Sequence, residues 1–145
     1  MSLTYRNILV AVDGSKEAEK AFKKAVEVAK RNNANLIISH VIDTRTFATV
    51  EAYDRTIAER AEEYAEELLT EYKNHAVDAG VKNVKMHIEY GSPKIKIAKE
   101  VAPKFDCDLI ICGATGLNAV ERFFIGSVSE HITRYATCDV LVVRS

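Results

Sequence analysis

The chain is poor in everything that would take it out of the ordinary α/β world. Its 145 residues include two prolines, six glycines and three cysteines, and lysine plus arginine (20) nearly balance aspartate plus glutamate (21). So little proline and glycine leaves no linker, repeat or low-complexity tract. Three cysteines, Cys107, Cys112 and Cys138, are an odd number without metal-ligand spacing, which excludes a disulfide framework and a zinc site; they read as reduced, small apolar residues. The net charge of −1 gives no pull toward nucleic acid or an anionic membrane. No apolar run approaches the roughly 18 residues that span a bilayer. The opening MSLTYRNILVAVDGS lacks a secretory leader pattern, so a cytoplasmic location is expected. Two glycine fingerprints are also missing: Gly-x4-Gly-Lys-Ser/Thr, and Gly-x-Gly-x2-Gly after a strand, which excludes a P-loop and a dinucleotide site of the usual kind.

What is present is 48% hydrophobic residues in a length that fits one domain, 1–145, with one core. Asn7 to Val12 is a continuous apolar run, as expected of a strand covered on both faces in a parallel sheet. Asp13-Gly14-Ser15 ends it. Ser15 is placed to cap a helix whose Ala18, Ala21, Phe22, Ala25, Val28 and Ala29 share one face. Leu36 to Ile42 is a second buried strand, followed by an aperiodic loop, Asp43 to Val50. From about Glu51 a helix is predicted to Ala79, with Tyr53, Ile57, Ala61, Tyr64, Leu68, Tyr72 and Ala76 in one stripe and Gly80 as its stop. Six glutamates on its other face, from Glu59 to Glu71, read as a solvated surface. Val84, Met86, Ile88 and Tyr90 alternate with polar residues, the pattern of an edge strand wet on one side. Ser92-Pro93 starts a short helix stopping by Pro103. Leu109 to Cys112 and Asp139 to Val143 complete five strands.

Strand and helix in alternation imply right-handed crossovers and an open, doubly wound five-stranded parallel sheet with helices on both faces. Order 3-2-1-4-5 would put the wet third strand at an edge and the first and fourth strands at the winding reversal, where such sheets bind ligands. Asp13 and Gly113 close those two strands. Between them and the last helix runs GATGLNAVERFFIGSVSE, with Gly113, Gly116 and Gly126 at a strand exit and before a helix start. Helix N-termini offer unpaired N–H groups and positive potential to an anion. Ser127 with Glu130 also has the spacing of a capping box, which needs no ligand.

The spacing Gly-x2-Gly-x9-Gly-Ser resembles the nucleotide-binding signature of the universal stress protein family. ILVAVDGS, His40-Val41 and ATCDVLVVR extend the likeness over nearly the whole chain. The resemblance implies ATP as ligand, carried with Mg²⁺ or Mn²⁺ on its phosphates, and a homodimer. Carried over, Ala11 and Asp13 would flank the ribose end, and the main chain of Val41 would pair with the adenine edge. Gly113 and Gly116 would approach ribose and phosphates, and Gly126, Ser127, Val128 and Ser129 would hold the phosphates. Many family members have proline where this chain has Ala11, which loosens that contact.

The phosphate loop has no lysine and no evident water-positioning group, so slow hydrolysis at most is expected and no catalytic residue is assigned. His40, His75, His87 and His131 lack metal spacing, and no side-chain metal site is expected. An adenylating enzyme would need a Ser-Gly-Gly-x-Asp-Ser loop, which is absent. The competing reading is a nucleotide-independent scaffold whose last strand, Val140 to Val143, is covered by the same strand of a second copy. Nucleotide occupancy would separate the two; the downstream protein partner is not legible.

Overall fold

The computed structural model describes residues 4–44, 55–115 and 125–144. Its strands are β1 (Asn7–Ala11), β2 (Asn35–Asp43), β3 (Asn83–Gly91), β4 (Leu109–Gly113) and β5 (Asp139–Val143). They pair in parallel, as the alternation of elements implies, in the order β3-β2-β1-β4-β5 expected from the wet third strand. The helices are α1 (Lys16–Asn32), α2 (Arg55–Ala79), α3 (93–104) and α4 (Ser127–Tyr135). Among the described residues no helix is long and apolar enough to cross a membrane.

The sheet divides two apolar layers. On one face Ile8, Val10, Leu36, Ile38 and Ile111 meet Ala21, Phe22 and Ala25 of α1 and Leu69 and Ala76 of α2. On the other, Leu9, Ile37, Val41, Ile110 and Cys112 meet Ile97, Ala98 and Val101 of α3 and Ile132 of α4. Successive strand residues point to opposite faces, so one continuous apolar run feeds both layers. Ser15 caps α1 as expected, its Oγ accepting the Ala18 N–H at 3.1 Å. Gly80 closes α2 at φ +107°, and its Cβ-free backbone lets Val81 N–H return to the Ala76 carbonyl at 3.0 Å.

Three expectations need revision. The buried stripe of α2 is Ala65, Leu69 and Ala76 with Leu68 and Tyr72 beside it; Ile57 and Tyr64 are exposed, the Tyr64 ring lying at the carboxyl ends of β1 and β2 beside His40 and Gly14. The expected beginning of this helix near Glu51, the residue Tyr53 and the loop 45–50 lie outside the described residues. In β3, Met86 and Tyr90 are exposed while His87 and Glu89 are half-buried, since α3 covers the face expected to be wet. His87 packs edge-on to Phe105, 5.1 Å between ring centres. Finally, α3 continues through Pro103 to Lys104. It does so by a π turn at Ile97–Val101, a widening that accommodates a proline ring where a regular turn would clash.

Candidate functional site

At the carboxyl end of β1 the chain turns sharply. Asp13 Oδ1 accepts the Ser15 N–H at 2.9 Å, and Gly14 takes φ +86°. The backbone at Gly14 therefore favours glycine, and the hydroxyl of the exposed Tyr64 rests over its bare face.

The ladder between β1 and β2 stops at Ala11 opposite Ser39, whereas β2 stays paired with β3 as far as Asp43. The last bond across is Val12 N–H to the Ser39 carbonyl, 2.9 Å. In a parallel ladder alternate residues turn their N–H and C=O the same way, so Val41 faces β1 as Ser39 does. It finds no strand there. The Val12 carbonyl that would have met the Val41 amide instead accepts from His40 Nδ1 at 2.8 Å, which fixes the proton on that nitrogen. Among the described residues Val41 therefore presents an open main-chain donor and acceptor, at a residue 7% exposed. A histidine inside an apolar strand was visible in the sequence; its role as a stop for the ladder was not.

Gly113, at the end of β4, has a packing reason of its own. A Cβ there would lie 3.0 to 3.1 Å from the Glu17 backbone, so a side chain would force the first turn of α1 to give by a few tenths of an ångström. Its bare face looks toward α1. The site residues Ala11, Val41 and Val128, by contrast, all pack with the layer under α3 and α4. Gly116 lies outside the described residues.

The start of α4 departs from the expected capping box. Gly126, not Ser127, is the N-cap, no side chain caps it, and Glu130 pairs with Arg134 at 3.0 Å. The reason is the Ala114 carbonyl, which accepts the Gly126 N–H and the Ser129 hydroxyl, both at 2.7 Å, and so clamps the first turn to β4. Nothing in the spacing of residues announces a backbone carbonyl in this role. The Gly126 amide and the Ser129 hydroxyl are thus engaged, while the amides of Ser127, Val128 and Ser129 have no acceptor among the described residues. Three open donors at a helix start, at the same end of the sheet as the open edge of Val41's strand, suit a ligand with a neutral hydrogen-bonding ring at one end and an anion at the other.

The chain matches the model of the universal stress protein family over residues 4–144. It belongs to that family. A Staphylococcus saprophyticus protein classed with the universal stress proteins is 57% identical over 143 residues, covering 99% of this chain and 86% of its own. Universal stress protein UspA from Lactobacillus plantarum superposes with a TM-score of 0.81 at 31% identity, covering 99% of this chain and 100% of that one. A universal stress protein solved in complex with cAMP gives 0.72 at 27%, over 97% and 98% of the two chains.

Other chemistry in this family member is muted. Burial pushes the Cys112 and Cys107 thiols up to about 12, which keeps them protonated and unreactive. No group of three or more histidine, cysteine, aspartate or glutamate residues that could hold a metal exists among the described residues. A cavity of about 540 Å³ beside Tyr5, Arg31 and Asp139 lies at the amino ends of the strands, the wrong end of an α/β sheet for its ligand.

Proposed function

We propose that this universal stress protein binds ATP at the crevice between β1 and β4 and works as a small regulatory protein whose partners respond to nucleotide occupancy. The observation that carries the proposal is that the open main-chain edge of Val41 and the open amides of Ser127, Val128 and Ser129 both lie at the carboxyl ends of the strands. Val41 pairs with the adenine edge through N–H and C=O, Ala11 and Asp13 flank the ribose end, and the α4 amides receive the phosphates. Gly113 lets α1 close on β4, and Gly126 presents the helix start. That a relative with 27% identity was solved with cAMP supports an adenine nucleotide in this fold. A divalent cation travels with the phosphates, with the second oxygen of Asp13 as an outer partner.

Titration calorimetry with MgATP, together with identification of whatever small molecule leaves the purified protein on denaturation, tests the proposal. Binding below millimolar is expected; no heat and no nucleotide at millimolar ATP would reject it. Slow hydrolysis at most is expected.

A second reading has its own observation. β5 is an edge strand with Val140 and Val142 against one layer and Leu141 and Val143 against the other, an apolar edge that another strand would cover. A homodimer through Val140 to Val143 fits a nucleotide-binding protein and a nucleotide-independent scaffold equally. Light scattering tests the dimer, and ATP occupancy separates the two functions.

A further inference from the structure

Ser39 sits in the middle of an apolar strand, 1% exposed, and its hydroxyl has no hydrogen-bond partner among the described residues. An unpaired buried hydroxyl is a cost that alanine or valine at this position would avoid. Its place makes the cost intelligible. Ser39 is in register with Ala11 on β1, and it lies two residues before Val41 on the same face of β2. It therefore stands between Ala11 and Val41, two residues proposed above to meet the nucleoside, and on the layer that Val128 also joins. Its neighbour in register on β3, His87, is committed elsewhere: Nε2 lies 3.2 Å from Glu89 Oε2 and the ring packs on Phe105.

We propose that Ser39 reads the nucleobase, its hydroxyl hydrogen-bonding the adenine ring whose edge pairs with the Val41 main chain. This rests on the nucleotide reading given above. A hydroxyl can donate to a ring nitrogen or accept from an exocyclic amine, and it carries no charge, so it suits a neutral base. The phosphates belong to the α4 amides, which rise from the β4 side of the crevice, while Ser39 lies on β2 across β1 from them. Ser39 is a specificity residue in a pocket otherwise built from main chain and methyl groups.

The test is thermal unfolding and calorimetry of wild type, Ser39→Ala and Ser39→Cys, with ATP and with AMP. Removing an orphaned hydroxyl should leave the ligand-free Tm equal or higher, while ATP affinity falls roughly five- to thirty-fold, the worth of one buried hydrogen bond. AMP should lose the same factor, since the contact is to the base, and the cysteine variant, isosteric with a weak donor, should fall between. Unchanged ATP affinity in Ser39→Ala overturns the proposal, as does a drop in ligand-free Tm, which would mean a structural bond, or a loss confined to ATP. A wild-type protein that takes no ATP overturns the nucleotide reading along with it, so the two failures are told apart.

Discussion

The two faces of one sheet are built to different standards. Under α1 and α2 the layer is closed: Ile8, Val10, Leu36, Ile38, Leu69 and Ile111 have no exposed surface. Under α3 and α4 the layer holds an unpartnered serine, a half-buried histidine with its glutamate, a π turn, and beside them an unpaired stretch of β2. Both faces are fed by the same strands, so the difference cannot come from strand propensity. The first face stores stability. The second carries local costs that stability alone would have removed, and such costs collect where a protein meets its ligand.

Substitutions should pull the faces apart. The largest effect is expected from Ile38→Ala, which opens a cavity in the closed layer and should cost about 2–5 kcal/mol in urea unfolding while leaving the ATP affinity of the folded protein unchanged. A parallel loss of ATP affinity would erase the contrast between the faces. Ser127→Pro should do the reverse. Proline is welcome at the first helical position, and Gly126 at φ −66° and ψ 161° is already in the conformation a following proline requires. Stability should change little, yet one open amide is gone, so ATP affinity should fall by about 1.5–3 kcal/mol, with Ser127→Ala as the control that keeps the amide. Equal affinity in the two variants would remove that amide from the site.

Gly113→Ala sharpens the comparison from the packing side. Its methyl group must displace the Glu17 backbone, and a loss of about 1–3 kcal/mol of stability is expected from denaturant curves. Full stability would return this glycine to a purely ligand-facing role. The smallest effect is a pH slope. The hydrogen bond from His87, aided by the Tyr90 amide, holds the Glu89 carboxyl below its ordinary 4.5. The folded state thus binds that proton less readily than the unfolded one, and the resulting stability is present above pH 4.5 and lost as pH falls through the folded value. After solvent screening this is worth about 0.5 kcal/mol, and Glu89→Gln should flatten that part of an acid unfolding curve.

Sequence periodicity carried the sheet because burial on both faces leaves apolar runs, unbroken in β1 and β4 and interrupted in β2 only by Ser39 and His40. It misplaced Tyr64, Met86 and Tyr90, because a stripe of apolar residues does not tell how far a helix or edge strand extends past what it packs on. Glycine spacing marked the exit of β4 and the start of α4 but blurred two causes: Gly113 answers to α1, and Gly126 to a turn held by the Ala114 carbonyl. The open edge of Val41 was illegible for a plainer reason. It depends on where a neighbouring strand ends and on one imidazole taking its carbonyl, and main-chain vacancies leave no mark on residue type.

The most direct measurement is the change in backbone amide resonances of ¹⁵N-labelled protein as MgATP is added. The account predicts that Val41, Ser127, Val128 and Ser129 shift together and saturably, while Ile8, Leu36 and Leu69 hold still. Shifts centred on the closed layer or the β5 edge, or none at millimolar ATP, would contradict it.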